Sequence, residues 1–169
     1  MFKKLKRLLH HRWLDEGDTR RAVPASMVER LMRRVAASEQ RHSGEVRICI
    51  ESSLPSSYIW RGALARERAL MMFSKLRVWD TAHNNGVLIY LMLAEHAIEI
   101  VADRGLNEKV SSAQWQAIAQ TMSQAFKNKQ YEDGLTQALE EVSALLVAHY
   151  PVAAGNQRRN ELPDAPVLG

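Results

Sequence analysis

Cysteine is nearly absent. Cys49 stands alone, so the chain can form no internal disulfide. Long apolar runs are missing as well; the longest fall far short of the roughly 20 residues that a membrane-spanning helix requires. The N-terminal residues lack the uninterrupted apolar segment of a secretory signal, because Lys6, Arg7, His10 and His11 break it up. The expectation is therefore a soluble, cytoplasmic protein, peripheral at most to the inner face of a membrane. There is no G-x-S-x-G nucleophile elbow, no phosphate-cradling P-loop and no G-x-G-x-x-G dinucleotide fingerprint. The six histidines do not fall at zinc-ligand spacing. No helix-turn-helix or stacking-aromatic pattern supports specific nucleic-acid recognition.

What remains is ordinary globular material. The 169 residues are 46% apolar and 25% charged, enough for one domain with short tails. Charge is uneven. Residues 1–34 carry ten Lys and Arg against four Asp and Glu, while the remainder carries thirteen against fifteen. The basic excess is thus a property of the N-terminal part. Residues 2–13 place Phe2, Leu5, Leu9 and Trp13 on one helical face, with Lys3, Lys4, Lys6 and Arg7 largely elsewhere. Such a stretch either lies on an anionic membrane surface or packs on its own domain.

Three parts follow: a basic amphipathic extension over 1–23, an α/β domain over 24–150 and a disordered tail over 151–169, where Pro163 and Pro166 accompany little apolar content. Residues 14–23 read as charged and turn-like. Ser26 with Glu29 matches a capping box, and the helix it opens runs to about His42, with Val28, Leu31, Met32 and Val35 on one face. Val46–Ser52 reads as a first strand, and Cys49 within it as a small buried residue. Residues 61–76 read as a helix with Ala65, Ala69, Met72 and Leu76 buried. Val87–Leu93 is apolar throughout, which demands cover on both faces of a strand. Ala94-Glu95-His96 turns the chain into a returning strand over 97–102, and two amphipathic helices occupy 111–128 and 132–149. The class is α/β: an α/β/α sandwich with a small mixed sheet flanked by helices. Its first two strands should be parallel and its third antiparallel.

The candidate chemistry lies at one end of that hairpin. Pairing Leu93 with Ala97 sets Val87 opposite Asp103. Asp80, Asn84 and Asn85 then approach Asp103, Arg104 and Glu108. Carboxylates with side-chain amide oxygens suit a hard cation such as Ca²⁺ or Mg²⁺. Asp80, Asn85, Asp103 and Glu108 are the expected metal ligands, Asp80 and Arg104 the expected catalytic pair, and Asn84, Asn85 and Gly86 the expected ligand-binding loop. The bland alternative is a turn held by Asx-type bonds, with Gly86 supplying a left-handed residue and Arg104 pairing with Asp103. A rival site at the opposite end would use Glu51, Ser52, Ser53, Glu95 and His96.

Val78-Trp79-Asp80, Asn85-Gly86-Val87-Leu88-Ile89-Tyr90, Val101-Ala102-Asp103-Arg104-Gly105-Leu106 and Tyr131-Glu132-Asp133-Gly134-Leu135 together resemble the TPM domain family over about residues 25–150. That family includes thylakoid-lumen proteins linked to photosystem repair, a nematode receptor modulator and many bacterial proteins. Asn85, Gly86, Gly105 and Leu106 match its pattern directly, whereas many relatives carry glycine where this chain has Asp103. The resemblance implies an α/β/α sandwich and, as in some members, acid-phosphatase activity with divalent-metal binding. Other members resemble partner proteins for membrane complexes. Two functions therefore stand side by side. One is a metal-dependent phosphatase acting on phosphomonoesters. The other is a non-catalytic module that docks on a membrane protein or anionic lipid surface through residues 2–13 and supports assembly or repair of a membrane complex. The sequence does not fix the oligomeric state.

Overall fold

The computed structural model describes Arg7, residues 16–152 and residues 159–169. Apart from Arg7, the amphipathic stretch expected over 2–13 lies outside the described residues. Helices are α1 (Glu16–Ala22), α2 (Ala25–Glu39), α3 (Ser56–Arg61), α4 (Ala65–Lys75), α5 (Arg104–Asn107), α6 (Ser112–Lys127) and α7 (Tyr131–His149). Strands are β1 (Val46–Glu51), β2 (Val87–Met92), β3 (Ala97–Ala102) and β4 (Val167–Leu168). One sheet runs in the order β3-β2-β1-β4. β1 is parallel to β2 and to β4, and β3 is antiparallel to β2.

The strand pleat sorts side chains between two cores. Val46, Ile48, Ile50, Val87, Ile89 and Leu91 point to one face and meet Leu31 and Val35 of α2, Met122 and Phe126 of α6, and Leu135, Val142 and Leu146 of α7. Cys49, Leu88, Tyr90 and Met92 point to the other and meet Ile59 of α3 and Ala65, Ala69 and Met72 of α4. β2 is buried at every position, as its continuous apolar sequence demands. The fold is the α/β/α sandwich with a small mixed sheet that the sequence implies.

Several local expectations are corrected. α2 is capped at Pro24, with no side-chain bond, so Ser26 and Glu29 form no capping box there; the helix ends at Glu39. Its inward stripe is Met27, Leu31, Val35 and Ser38, which leaves Met32 exposed. Residues 16–22 form α1 rather than a turn. Residues 61–76 are not one helix, because Gly62 takes φ +75° and closes α3 before α4 starts. The hairpin register also differs by one residue. Met92 pairs with Ala97 and Val87 with Ala102, around a four-residue turn in which His96 takes φ +48°. A one-residue slip moves a strand's side chains to the other face. In the observed register Val87, Ile89 and Leu91 share a face with Ile98, Ile100 and Ala102 in one apolar core.

The tail also departs from expectation. Residues 159–169 return to the sheet, and β4 pairs with β1 through Cys49–Val167 and Ile50–Leu168. Polar bonds hold the approach. The amides of Glu161 and Leu162 donate to the Glu45 carboxylate at 3.2 and 3.0 Å, and the Arg47 guanidinium donates to the carbonyls of Pro163 and Ala165.

One buried polar group interrupts the second core. Glu51 accepts two bonds from Arg68, at 2.8 and 2.5 Å, and a third from the Tyr90 hydroxyl at 2.7 Å. Burial, and then the adjacent Glu51 carboxylate, push the Tyr90 phenol up. A buried carboxylate that loses its cation keeps its desolvation cost. Arg68→Met should therefore lower the unfolding free energy by roughly 3 kcal/mol, read from urea unfolding, and a loss below about 1 kcal/mol would contradict a tightly held pair. Burial also pushes the Cys49 thiol up to about 12, with Glu51 adding to it. Cys49 is accordingly expected to resist a thiol reagent at pH 8 in the native protein and to react only as fast as the chain unfolds. Rapid stoichiometric labelling would show that the strand is open.

Candidate functional site

The site is built by the loop between α4 and β2 and by the segment that follows β3. The loop opens with Arg77 at φ +55°, and the buried Val78 folds back, its amide donating to Phe73 at 3.0 Å. Thr81 then organises the next residues. Its carbonyl accepts from the Asn84 amide at 3.3 Å, and its hydroxyl accepts from the Asn85 amide at 3.2 Å. Asn84 takes φ +50°. Gly86 does not, so its role is not a left-handed turn. A Cβ at Gly86 would stand 2.0 Å from the Val78 carbonyl oxygen, which makes the requirement one of close backbone approach.

The segment after β3 meets this loop through backbone bonds. Asp103 N donates to Gly86 O at 2.8 Å and Gly105 N donates to Asn84 O at 3.0 Å. The expected approach of the two segments is therefore present, with Asp103 across from Gly86 rather than Val87. Asp103 also caps the short α5. One of its carboxylate oxygens, Oδ1, accepts from the Arg104 amide at 2.7 Å. Gly105 packs where a Cβ would meet Asn84 O at 2.6 Å and the Tyr150 hydroxyl at 2.9 Å.

Two acceptors at this rim stand out. Asn85 is 1% exposed; its Nδ2 donates to Ser43 Oγ at 3.3 Å, while its Oδ1 has no hydrogen-bond partner among the described residues. Asp103 Oδ2 is likewise buried without a partner among them. A buried acceptor left without a donor costs about 1–3 kcal/mol. Tyr150, just after α7, completes the neighbourhood. Burial, followed by the carboxylates of Glu108 and Asp103, raises its phenol above the ordinary value, and Lys109 Nζ lies 4.3 Å from its ring centre. Ser43, Thr81 and Tyr150 were not singled out by sequence pattern. Each is an isolated polar residue, and only the fold brings them to the rim.

The remaining candidates are placed differently. Asp80 is half-exposed and pairs with Arg77 at 2.8 Å. Glu108 is exposed at the end of α5, and the Arg104 side chain is exposed at its start. Among the described residues no three His, Cys, Asp or Glu side chains are grouped as a metal site. Asp80, Asp103 and Glu108 therefore do not converge. At the opposite end Glu51 is taken by Arg68 and Tyr90, and Glu95 accepts from Arg7 Nε at 2.7 Å.

A small mixed sheet between two helical layers, with a polar rim formed by the β2 loop and the turn after β3, defines the class of protein. A family model for the TPM domain matches residues 18–145, and the chain belongs to the TPM domain family. The solved NMR structure of BA42 protein from the psychrophilic bacterium Bizionia argentinensis sp. nov. is similar in fold, with a TM-score of 0.74 at 24% identity over 87% of this chain and 95% of that one. No curated protein matches the chain. No described helix is long and apolar enough to cross a membrane.

The two kinds of glycine constraint can be separated. Gly86→Ala drives a methyl group into backbone and should cost about 2–3 kcal/mol, whereas Gly62→Ala, with open space around it but φ +75°, should cost about 1 kcal/mol. Urea midpoints in the reverse order would refute the close-approach account.

Proposed function

We propose that the rim holds a hard divalent cation such as Ca²⁺ or Mg²⁺ and, with it, a phosphate-bearing ligand, a phosphomonoester being the substrate class of a hydrolytic TPM domain. The observation that carries this reading is the pair of buried acceptors, Asn85 Oδ1 and Asp103 Oδ2, left without donors among the described residues at one end of one hairpin. Elsewhere in the fold a buried carboxylate such as Glu51 is fully answered by Arg68 and Tyr90. An acceptor-only pair of one amide and one carboxylate suits an oxygen-seeking cation.

Asn85 and Asp103 are the residues that would hold the ion. Asp80 is excluded from this set as long as it pairs with Arg77. A cation so held supplies Lewis-acid polarisation of a phosphoryl oxygen or a more acidic water. The chain's own part is to fix its oxygens. Asn85 is clamped through Thr81 and Ser43, and Asp103 through Gly86 and Arg104. The exposed Arg104 guanidinium stands at the same rim and is assigned to steadying the phosphate.

With so few protein ligands and water filling the remainder, a weak site is expected, in the range of roughly 10⁻⁴–10⁻³ M. Backbone amide NMR of the full chain during Ca²⁺ or Mg²⁺ titration should show shifts confined to residues 81–86 and 103–108. Asp103→Asn should abolish them while leaving the remaining spectrum in place. Cation-dependent hydrolysis of p-nitrophenyl phosphate, lost in the same variant, would extend the result to catalysis. Unmoved rim amides at millimolar cation would overturn the proposal.

A further inference from the structure

A pocket of about 210 Å³ lies between α2 and α7, and six of its eight lining residues carry a polar side chain: Arg34, Ser38, Arg41, Thr136, Glu140 and Ser143. The two helices contribute them at matching spacing. Arg34, Ser38 and Arg41 follow each other by four and then three positions along α2 and its end, and Thr136, Glu140 and Ser143 do the same along α7. That spacing stacks each set on one helical face.

The cations of this pocket are unspent. Arg34 is in no ion pair among the described residues; Glu132, which feels its charge, gives both carboxylate oxygens to Arg30 at 2.7 Å. Arg41 donates through Nη2 to Ser143 Oγ at 2.7 Å and meets no carboxylate among the described residues. Glu140 is exposed and likewise in no ion pair among them, so two free cations face one acid. A hydroxyl is free as well. A helical threonine can donate to the carbonyl four residues back, as Thr121 does to Ala117 in α6 at 2.9 Å. Thr136 does not, and its buried Oγ1 has no partner among the described residues.

Ser38 presents the opposite polarity. The fully buried His42 lies with Nδ1 3.1 Å from the Gly44 carbonyl, which can only accept, so Nδ1 carries the hydrogen. The other nitrogen of a neutral ring accepts, and Ser38 Oγ, 3.0 Å away, gives it the hydroxyl hydrogen. Ser38 thus offers the pocket lone pairs only.

We infer that the α2–α7 pocket binds a hydrogen phosphate ion. Arg34, Arg41 and the Thr136 hydroxyl donate to its oxygens, the guanidinium fork being suited to an oxyanion. Its own O–H donates to Ser38 Oγ or to Glu140. The volume is below the roughly 300–1,000 Å³ that drug-sized ligands occupy, which fits a bare ion rather than a nucleotide. Sulfate and a phosphomonoester dianion carry the same charge without a hydrogen, and each would set an oxygen against the pocket's acceptors. The inference goes beyond the cation rim. It needs no divalent ion and uses none of the rim residues, so the two proposals fail separately.

Backbone amide NMR of the full chain at pH 8 tests it, with EDTA present and ionic strength held by sodium chloride. Inorganic phosphate should give saturable shifts confined to residues 34–42 and 136–143. Sulfate and phenyl phosphate should bind on the order of tenfold more weakly. The double variant Arg34→Gln, Arg41→Gln should lower phosphate affinity at least about tenfold, and Thr136→Val several-fold. Arg33→Gln, which alters an exposed cation outside the pocket, should bind as the unaltered chain does. An unchanged urea midpoint verifies that each variant is folded. The inference is overturned if the phosphate shifts do not saturate, or if they fall at residues 81–86 and 103–108 instead. Equal binding of sulfate overturns it too, as does an Arg33→Gln loss as large as that of the double variant.

Discussion

β2 is buried at every one of its positions, and each backbone group along it must find its partner in a neighbouring strand. β1 supplies one ladder and β3 the other, in opposite senses. Side chains then alternate between the two cores with no solvent-facing position to absorb an error. Both helical layers take their places from this strand. So does the loop before it, because the register that fixes Val87 also fixes Gly86 and Asn85. The Val78 backbone fits over Gly86 only because no Cβ is there. The rim geometry is thus a consequence of how the central strand begins.

The two ends of the hairpin treat their buried carboxylate oxygens in opposite ways. At the C-terminal end of β1, Glu51 receives a bidentate arginine and a phenol, so its negative charge is neutralised within the core. That arrangement is closed and leaves little for a ligand to do. At the N-terminal end of β2, Asn85 and Asp103 each spend one group on a protein partner and keep one oxygen unanswered among the described residues. An unanswered buried acceptor costs about 1–3 kcal/mol, and two at one rim are a sizeable fraction of a domain's net stability. A cation answers two acceptors at once, as does a water that donates to both. The contrast between the Glu51 and Asp103 carboxylates is therefore the argument for a site, since His96 Nδ1 at the turn end is also buried without a partner among the described residues.

Much of this layout was legible in the residues. The unbroken apolar run of β2 demanded two covered faces, and the 3.6-residue stripes of α6 and α7 supplied one cover. The meeting of the 80–86 loop with residues 103–108 followed from hairpin topology alone. What escaped was set by single bonds and turn geometry. The register moved by one residue because the turn spans four residues and His96 accepts a left-handed conformation. Asp80 left the acid group because Arg77, three residues earlier, holds it. The return of residues 159–169 had no hydrophobic signal, since Glu45 and Arg47 secure it through main-chain amides and carbonyls. Polar bonding of that kind has no sequence period.

A sheet covered on both sides gives a domain two outer faces, and this one has made them unlike. The side covered by α2, α6 and α7 turns most of its large apolar residues inward, with Met32 exposed; the α3–α4 side leaves Trp60, Leu64 and Leu70 in solvent. Desolvating those side chains in water would be favourable wherever a partner surface exists, so their exposure is a standing free-energy cost of the isolated protein. The rim borders this second face directly. Trp79 is exposed immediately before Asp80, and Val78, one residue earlier, is the contact that shapes Gly86. The Trp60–Leu64 link lies toward the other end of that face, because Arg7 ties the Ala63 carbonyl to Glu95 in the hairpin turn.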